Sequence, residues 1–152
     1  MKTLLLFLPL ALFLSGCMRQ NPQVIKETDA NKKVVLSFYN IAYNQKDAVK
    51  AVDAFTGNAE VRSIKGDTLL RGRTEIANSV INFLSSFQDV KFKTEWSYAE
   101  GELVILRWKI TCTPKENYLT HPAGKPMEMR GATFCSLFER KIFNSFTYWN
   151  IN

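Results

Sequence analysis

Residues 90–112 read VKFKTEWSYAEGELVILRWKITC, and this stretch decides the fold. Val90, Phe92, Thr94, Trp96 and Tyr98 alternate with Lys91, Lys93, Glu95 and Ser97. A period of two marks a strand with one buried face. Ala99-Glu100-Gly101 then turns the chain. Beyond it, Val104, Leu106, Trp108, Ile110 and Cys112 alternate with Leu103, Ile105, Arg107, Lys109 and Thr111. The spacing predicts a hairpin of two long antiparallel strands. Phe92, Trp96 and Tyr98 of the first, and Leu106, Trp108, Ile110 and Cys112 of the second, are expected to face the core.

Downstream, a longer loop over 114–126 leads to a predicted strand at 127–138 and a last strand at 142–150. Upstream, the period changes. Val34, Val35, Phe38, Ile41 and Ala42 form an amphipathic helical stripe, which predicts a helix over 31–44 capped by Asp29. Asp47 starts a second, shorter helix with Val49, Val52 and Phe55, closed by Thr56-Gly57-Asn58. Short strands follow at 59–64 and 68–71, around a turn at Lys65-Gly66-Asp67. Thr74 is expected to cap a third helix reaching about Phe87. Three helices followed by long antiparallel strands mean an α+β domain, with the helices on one sheet face.

The first residues read differently. Residues 1–16 have a basic start, an uncharged run from Leu4 to Leu14 and small residues before Cys17. This is the pattern of a secretory signal, and the run is shorter than the ~20 residues of a membrane-spanning helix. Leu14-Ser15-Gly16-Cys17 resembles the lipobox of bacterial lipoproteins. By that resemblance Cys17 is acylated, palmitate-type chains included, and becomes the first mature residue. The expected organisation is a signal peptide at 1–16, a lipidated Cys and flexible tether at 17–29, and one domain at 30–152. The expected location is the cell envelope, on the outer membrane if the cell is Gram-negative. The membrane is then a partner through Cys17.

The 152 residues are 46% hydrophobic and 22% charged, which is ordinary globular composition. The net charge is +6, too thinly spread to indicate a nucleic-acid partner. With 3 Cys and 1 His, a disulfide framework or a Cys/His metal centre is not expected, and no cofactor is expected.

Four stretches carry a family resemblance. They are Phe38-Tyr39 with Asn44-Gln45 and Ala51-Val52-Asp53, then Arg71-Gly72-Arg73 opening the third helix. Pro122-Ala123-Gly124-Lys125 follows, leading to Arg130-Gly131, and last Lys141-Ile142 leading to Tyr148-Trp149-Asn150. In this order and spacing the chain, over about residues 31–150, resembles the nuclear transport factor 2-like superfamily. Within it the chain is similar to the SnoaL-like polyketide cyclase and ester-cyclase branch. The resemblance implies a cone-shaped, mostly antiparallel sheet closed on one side by the three helices, with an apolar pocket between. It also implies an inward row of Met127, Met129, Gly131, Thr133, Cys135 and Leu137 on the strand at 127–138.

The resemblance further implies an inward Asp as general acid/base and a His on the last strand. Here those positions are Thr133 and Ser145. A hydroxyl takes no proton at neutral pH without a partner base. Cyclase chemistry is therefore not expected, and no catalytic residue is assigned. The lone His121 falls in the loop beside Pro122. A further family motif reads Glu60-Val61-Arg62-Ser63, and alternation puts Glu60 and Arg62 on one face.

Cys112 and Cys135 are expected to be free. With Thr133 opposite Trp108, Cys135 falls opposite Leu106, roughly 20 Å from Cys112 at ~3.3 Å per residue. A disulfide needs Cα atoms within ~7 Å.

The leading expectation is an envelope lipoprotein that binds a small, largely apolar molecule. The expected ligand-binding residues are Tyr39, Trp96, Tyr98, Trp108, Met127, Met129, Thr133 and Ser145. One alternative is an enzyme of SnoaL or isomerase type using other residues, such as Glu60 with Tyr98. Another is a homodimer through the outer sheet face, where Leu103, Ile105, Phe134 and Phe138 would be outward apolar residues.

Overall fold

The computed structural model describes residues 22–63 and 68–151. Cys17, the segment before it and the turn at 65–67 lie outside the described residues. In chain order the elements are α1 (Pro22–Tyr39), a π-helical turn (Asn40–Asn44), α2 (Ala48–Ala51), a 3-10 turn (Val52–Ala54), β1 (Phe55–Ser63), β2 (Thr68–Arg71) and α3 (Gly72–Ser86). The remaining strands are β3 (Phe87–Glu100), β4 (Leu103–Pro114), β5 (Met127–Phe138) and β6 (Lys141–Ile151). The six strands make one curved sheet in the order β2-β1-β6-β5-β4-β3. All neighbouring pairs are antiparallel except β1 with β6. The expected α+β architecture, three helices and then a long antiparallel sheet, is the one found.

The helical stripe works as predicted. Asn31, Val35, Phe38, Tyr39 and Ala42 are buried, while Val34 and Ile41 pack at the margin. The start of the helix differs. α1 begins at Pro22, so Asp29 is an exposed mid-helix residue and not a cap. Residues 22–29 of the expected tether are thus helical. Proline suits a first turn, where its missing N–H is not needed. No apolar stripe announced these turns, because they face solvent. What holds these first turns is polar. Gly101 N donates to Thr28 Oγ1 at 3.2 Å, and Asn31 Nδ2 donates to Gly101 O at 2.9 Å.

Asp47 caps α2 as expected, its carboxylate accepting from the Lys50 amide at 2.9 Å. The chain then extends sooner than predicted, and Thr56-Gly57-Asn58 belongs to β1. α3 begins at Gly72 rather than after Thr74. The Arg71 amide donates to the Glu75 carboxylate at 2.7 Å. Gly72 has φ +73° and sits so close to Gly57 O that a Cβ would lie 3.1 Å from it. A residue with a side chain would be strained there twice over.

The hairpin of β3 and β4 forms with two register shifts, one between Gln88 and Lys91 and one between Thr94 and Trp96, and the second is the one that matters for the faces. Thr94 pairs with Trp108, but Trp96 pairs with Arg107, so Glu95 is an extra residue on β3. Such a bulge exchanges the two faces of a strand beyond it. Phe92 is buried, whereas Trp96 is 52% and Tyr98 46% exposed. They stack on each other outside the sheet, with centroids 6.3 Å apart. Glu95 itself lies between Arg107 (3.3 Å) and Arg130 (3.1 Å).

β4 and β5 keep their predicted parity. Leu106, Trp108, Ile110 and Cys112 are buried, as are Met127, Met129, Thr133, Cys135 and Leu137. The register is two residues from the one assumed. Thr133 lies opposite Leu106, and Gly131 opposite Trp108. Cys135 therefore faces Val104, farther still from Cys112, and both thiols are free and buried.

Candidate functional site

A cavity of about 280 Å³ lies between the helices and the inner face of the sheet. Trp108, Met129, Ser145, Thr147 and Trp149 form its floor. Phe38 and Tyr39 of α1 and Tyr43 of the π-helical turn form one wall, and Ile76, Val80 and Phe83 of α3 the other. Ser63, Arg62 and Leu70 border it at the β1–β2 edge. The π-helical turn follows α1 directly and brings Tyr43 beside Tyr39, the two rings stacked at 6.1 Å. Tyr39 also stacks on Phe92 at 4.8 Å. The aromatic side chains give the cavity flat, apolar walls.

One polar cluster breaks this surface. Thr133 is fully buried. Its Oγ1 accepts from Tyr39 OH at 3.1 Å and from Trp108 Nε1 at 3.0 Å. Thr147 Oγ1 is 3.0 Å from it on the other side. Trp108 reaches Thr133 across Gly131, where an added Cβ would come within 2.4 Å of the indole. Gly131 leaves the room that the ring occupies.

None of these groups is an acid or base near neutral pH. Burial pushes the Tyr43 hydroxyl up to about 12. Burial, reinforced by the nearby Cys135 thiol, holds the Tyr39 hydroxyl well above its ordinary range. Burial raises Cys112 to about 11 and Cys135 to about 12. Loss of hydration disfavours the charged form in each case.

The eight residues expected to bind ligand divide into four groups. Tyr39, Trp108, Met129 and Ser145 line the cavity. Thr133 sits behind the lining and acts through its hydrogen bonds. Met127 is buried opposite Cys112 and does not reach the cavity. Trp96 and Tyr98 are turned outward by the Glu95 bulge, so neither belongs to the site. Thr147 and Trp149 were missed, although both share the inward parity of Ser145 on β6.

The pairing of Glu60 with Tyr98 is excluded by topology. Glu60 is on β1 and Tyr98 on edge strand β3, with three strands between. The Glu60 carboxylate is held by Arg62 at 3.2 Å and Arg71 at 3.3 Å, which keep its pKa below the ordinary value. Tyr98 OH donates to Glu100 at 3.1 Å. His121 lies in the β4–β5 loop and is not among the lining residues. Among the described residues, no three His, Cys, Asp or Glu are grouped to hold a metal ion.

Comparison with known proteins agrees with this architecture. A protein of ketosteroid isomerase-like fold from Catenulispora acidiphila, solved with trimethylamine, superposes with a TM-score of 0.67 at 14% identity. The alignment covers 76% of this chain and 84% of that one. An NTF2-like protein from Burkholderia thailandensis gives 0.67 at 18% identity, over 79% and 90% of the two chains. A SnoaL-like polyketide cyclase from Agrobacterium tumefaciens gives 0.66 at 17% identity, over 79% and 91%. At these identities the likeness is one of fold. No curated protein matches the sequence. Residues 33–150 match the family described as SnoaL-like polyketide cyclase, and the chain belongs to that family.

Proposed function

We propose that this protein is an envelope-anchored binding lipoprotein. It holds a small, largely apolar molecule in the aromatic cavity and performs no cyclase chemistry on it. One observation carries the reading. At the position where the family resemblance calls for an acid stands Thr133, a neutral hydroxyl whose partners are other neutral groups. An apolar cavity with a few polar groups is the usual form of a small-molecule site. The anchor rests on Cys17 and the lipobox-like residues before it.

Two measurements test this. Native mass spectrometry of the protein taken from its own envelope should find a small molecule retained. Phe83→Trp, which fills the cavity, should abolish that retention, and an empty wild-type protein would refute the reading. Separately, Cys17→Ala should move the protein from the membrane fraction to the soluble one. An unchanged distribution would refute the anchor alone.

A second reading concerns the outer sheet face. Tyr98, Ile105, Phe134 and Phe146 lie in register across β3, β4, β5 and β6. Tyr98, Phe134 and Phe146 are exposed, as are Trp96 and Tyr148 beside them. An aromatic band of this kind suits burial against a flat, equally apolar surface. The proposed occupant is the same face of a second copy.

A further inference from the structure

The start of α1 fixes how the domain stands on the membrane that carries it. This rests on Cys17 being the lipid anchor. α1 begins at Pro22, so only residues 18–21 separate it from Cys17. At ~3.6 Å per residue the chain from Cys17 to Pro22 reaches ~18 Å at most. The first turn of α1 therefore lies within that distance of the lipid headgroups. The longer tether expected over 17–29 would have let the domain turn freely.

α1 also projects from the sheet. It runs antiparallel to β3, as its contacts with Gly101 through Thr28 and Asn31, and with Ser97 through Lys32, show. Residues 22–27 thus continue past the β3–β4 turn by ~9 Å, at ~1.5 Å per residue. Val24 and Ile25 on this projection are exposed and take no part in the core. At the same end of the sheet, Leu103 opens β4 and Phe138 closes β5, and both are exposed. Charges of both signs stand among them, Lys26, Arg140 and Lys141 with Glu27, Glu100, Glu102 and Glu139. Apolar contact, and not net charge, is what this end offers a lipid surface.

The cavity lies towards the opposite end. Its residues on β6 run from Ser145 to Trp149, ~13 to ~26 Å along the strand from Lys141 at ~3.3 Å per residue. Met129, near the start of β5, and Tyr118, in the β4–β5 loop, line it farther from the β5–β6 turn. Arg62 on β1 and Ser79 on α3 are lining residues that are also exposed, and they mark where it opens.

We infer that the domain rests on the bilayer by the first turns of α1 and the adjoining β3–β4 and β5–β6 turns, with Val24 and Ile25 against the headgroups. The occupant of this apolar end is the same phospholipid surface that holds Cys17. The cavity then opens to the side, clear of the lipid, and exchanges its ligand with the aqueous compartment.

The test uses the whole lipidated chain in phosphatidylcholine vesicles that carry a nitroxide on the headgroup, a short-range quencher of fluorescence. A fluorophore is placed on one new cysteine at a time: Glu27→Cys, Glu102→Cys, Ser79→Cys or Leu119→Cys. Cys112 and Cys135 are buried and stay unlabelled. Quenching should be several-fold stronger in Glu27→Cys and Glu102→Cys than in Ser79→Cys and Leu119→Cys. Val24→Asp combined with Ile25→Asp should bring quenching in Glu102→Cys down towards that in Leu119→Cys. Both side chains are exposed, so the fold is not at stake. Equal quenching at the four positions, or the strongest at Ser79→Cys, overturns the inference. So does unchanged quenching in the double aspartate variant. In these cases the protein still floats with the vesicles, and the anchor stands. A wild-type protein that does not float with them removes the anchor, and this inference with it.

Discussion

The indole of Trp108 on β4 passes over Gly131, its register partner on β5, to donate to Thr133 Oγ1 two residues farther along. One glycine and one threonine thus place one of the two tryptophans of the cavity floor. Each half of this arrangement makes a prediction.

Thr133→Val keeps the shape of the side chain and removes the acceptor. Trp108 N–H is then buried without a partner, at a cost of ~1–3 kcal/mol, and Tyr39 OH loses one of its partners and keeps Thr147. A loss of about 2–4 kcal/mol is expected in urea denaturation, with an unchanged m-value. Thr133→Ser should recover most of it. A change under about 0.5 kcal/mol would mean that the cluster contributes nothing to stability.

Gly131→Ala tests the other half. Its Cβ would come 2.4 Å from the Trp108 ring and 2.6 Å from the backbone oxygen of Tyr148. Both contacts are too close for a real Cβ, so the ring must move and the strand backbone must shift with it. Overpacking of this kind costs about 1–3 kcal/mol. The tryptophan emission should also shift as Trp108 leaves its site. A variant with wild-type stability and emission would show that the ring has room.

The buried thiols and phenols predict an alkaline weakness. Cys112, Cys135 and Tyr43 have folded pKa values raised to about 11, 12 and 12, against ordinary values of 9.0, 9.0 and 10.0. Above pH 9 the unfolded chain loses these protons before the folded one does. Stability is therefore whole below pH 9 and falls as pH rises towards 12. Denaturation midpoints measured from pH 8 to 11 should decline, most steeply above 9. At pH 8 a thiol reagent should label Cys112 and Cys135 only after unfolding.

The outer face predicts an assembly. If a second copy covers the band, Phe134→Glu should convert a dimer to a monomer in analytical ultracentrifugation. The fold should survive, since Phe134 is 45% exposed. Wild-type protein that sediments only as a monomer would remove the second reading.

Much of the fold was legible because strand parity is local. Alternation named the buried row on β4 and the family resemblance named it on β5, although the assumed register was two residues out. The same alternation misled on β3, where Trp96 and Tyr98 read as inward. The extra residue at Glu95 is not marked in the sequence. It follows from how β3 must match Trp108 and Arg107 on the next strand. The early start of α1 was hidden for a different reason. Its first turns are exposed and held by Gly101, 70 and 73 positions away from Asn31 and Thr28.

The sequence by itself determined the α+β class, the helical stripe, the inward rows and the replacement of the family's acid and base by Thr133 and Ser145. The class, the stripe and the inward row of β4 depend on period, which neighbouring residues carry; the inward row of β5 and the two replaced positions rest on the family resemblance. Only the tertiary structure decided which aromatics face the cavity and which hydroxyls meet behind it. Tyr39 and Thr133 are 94 positions apart, and Trp108 and Thr133 are 25 apart. A hydrogen bond is fixed to a few tenths of an ångström, and that distance exists only once the strands are paired and α1 has closed over them.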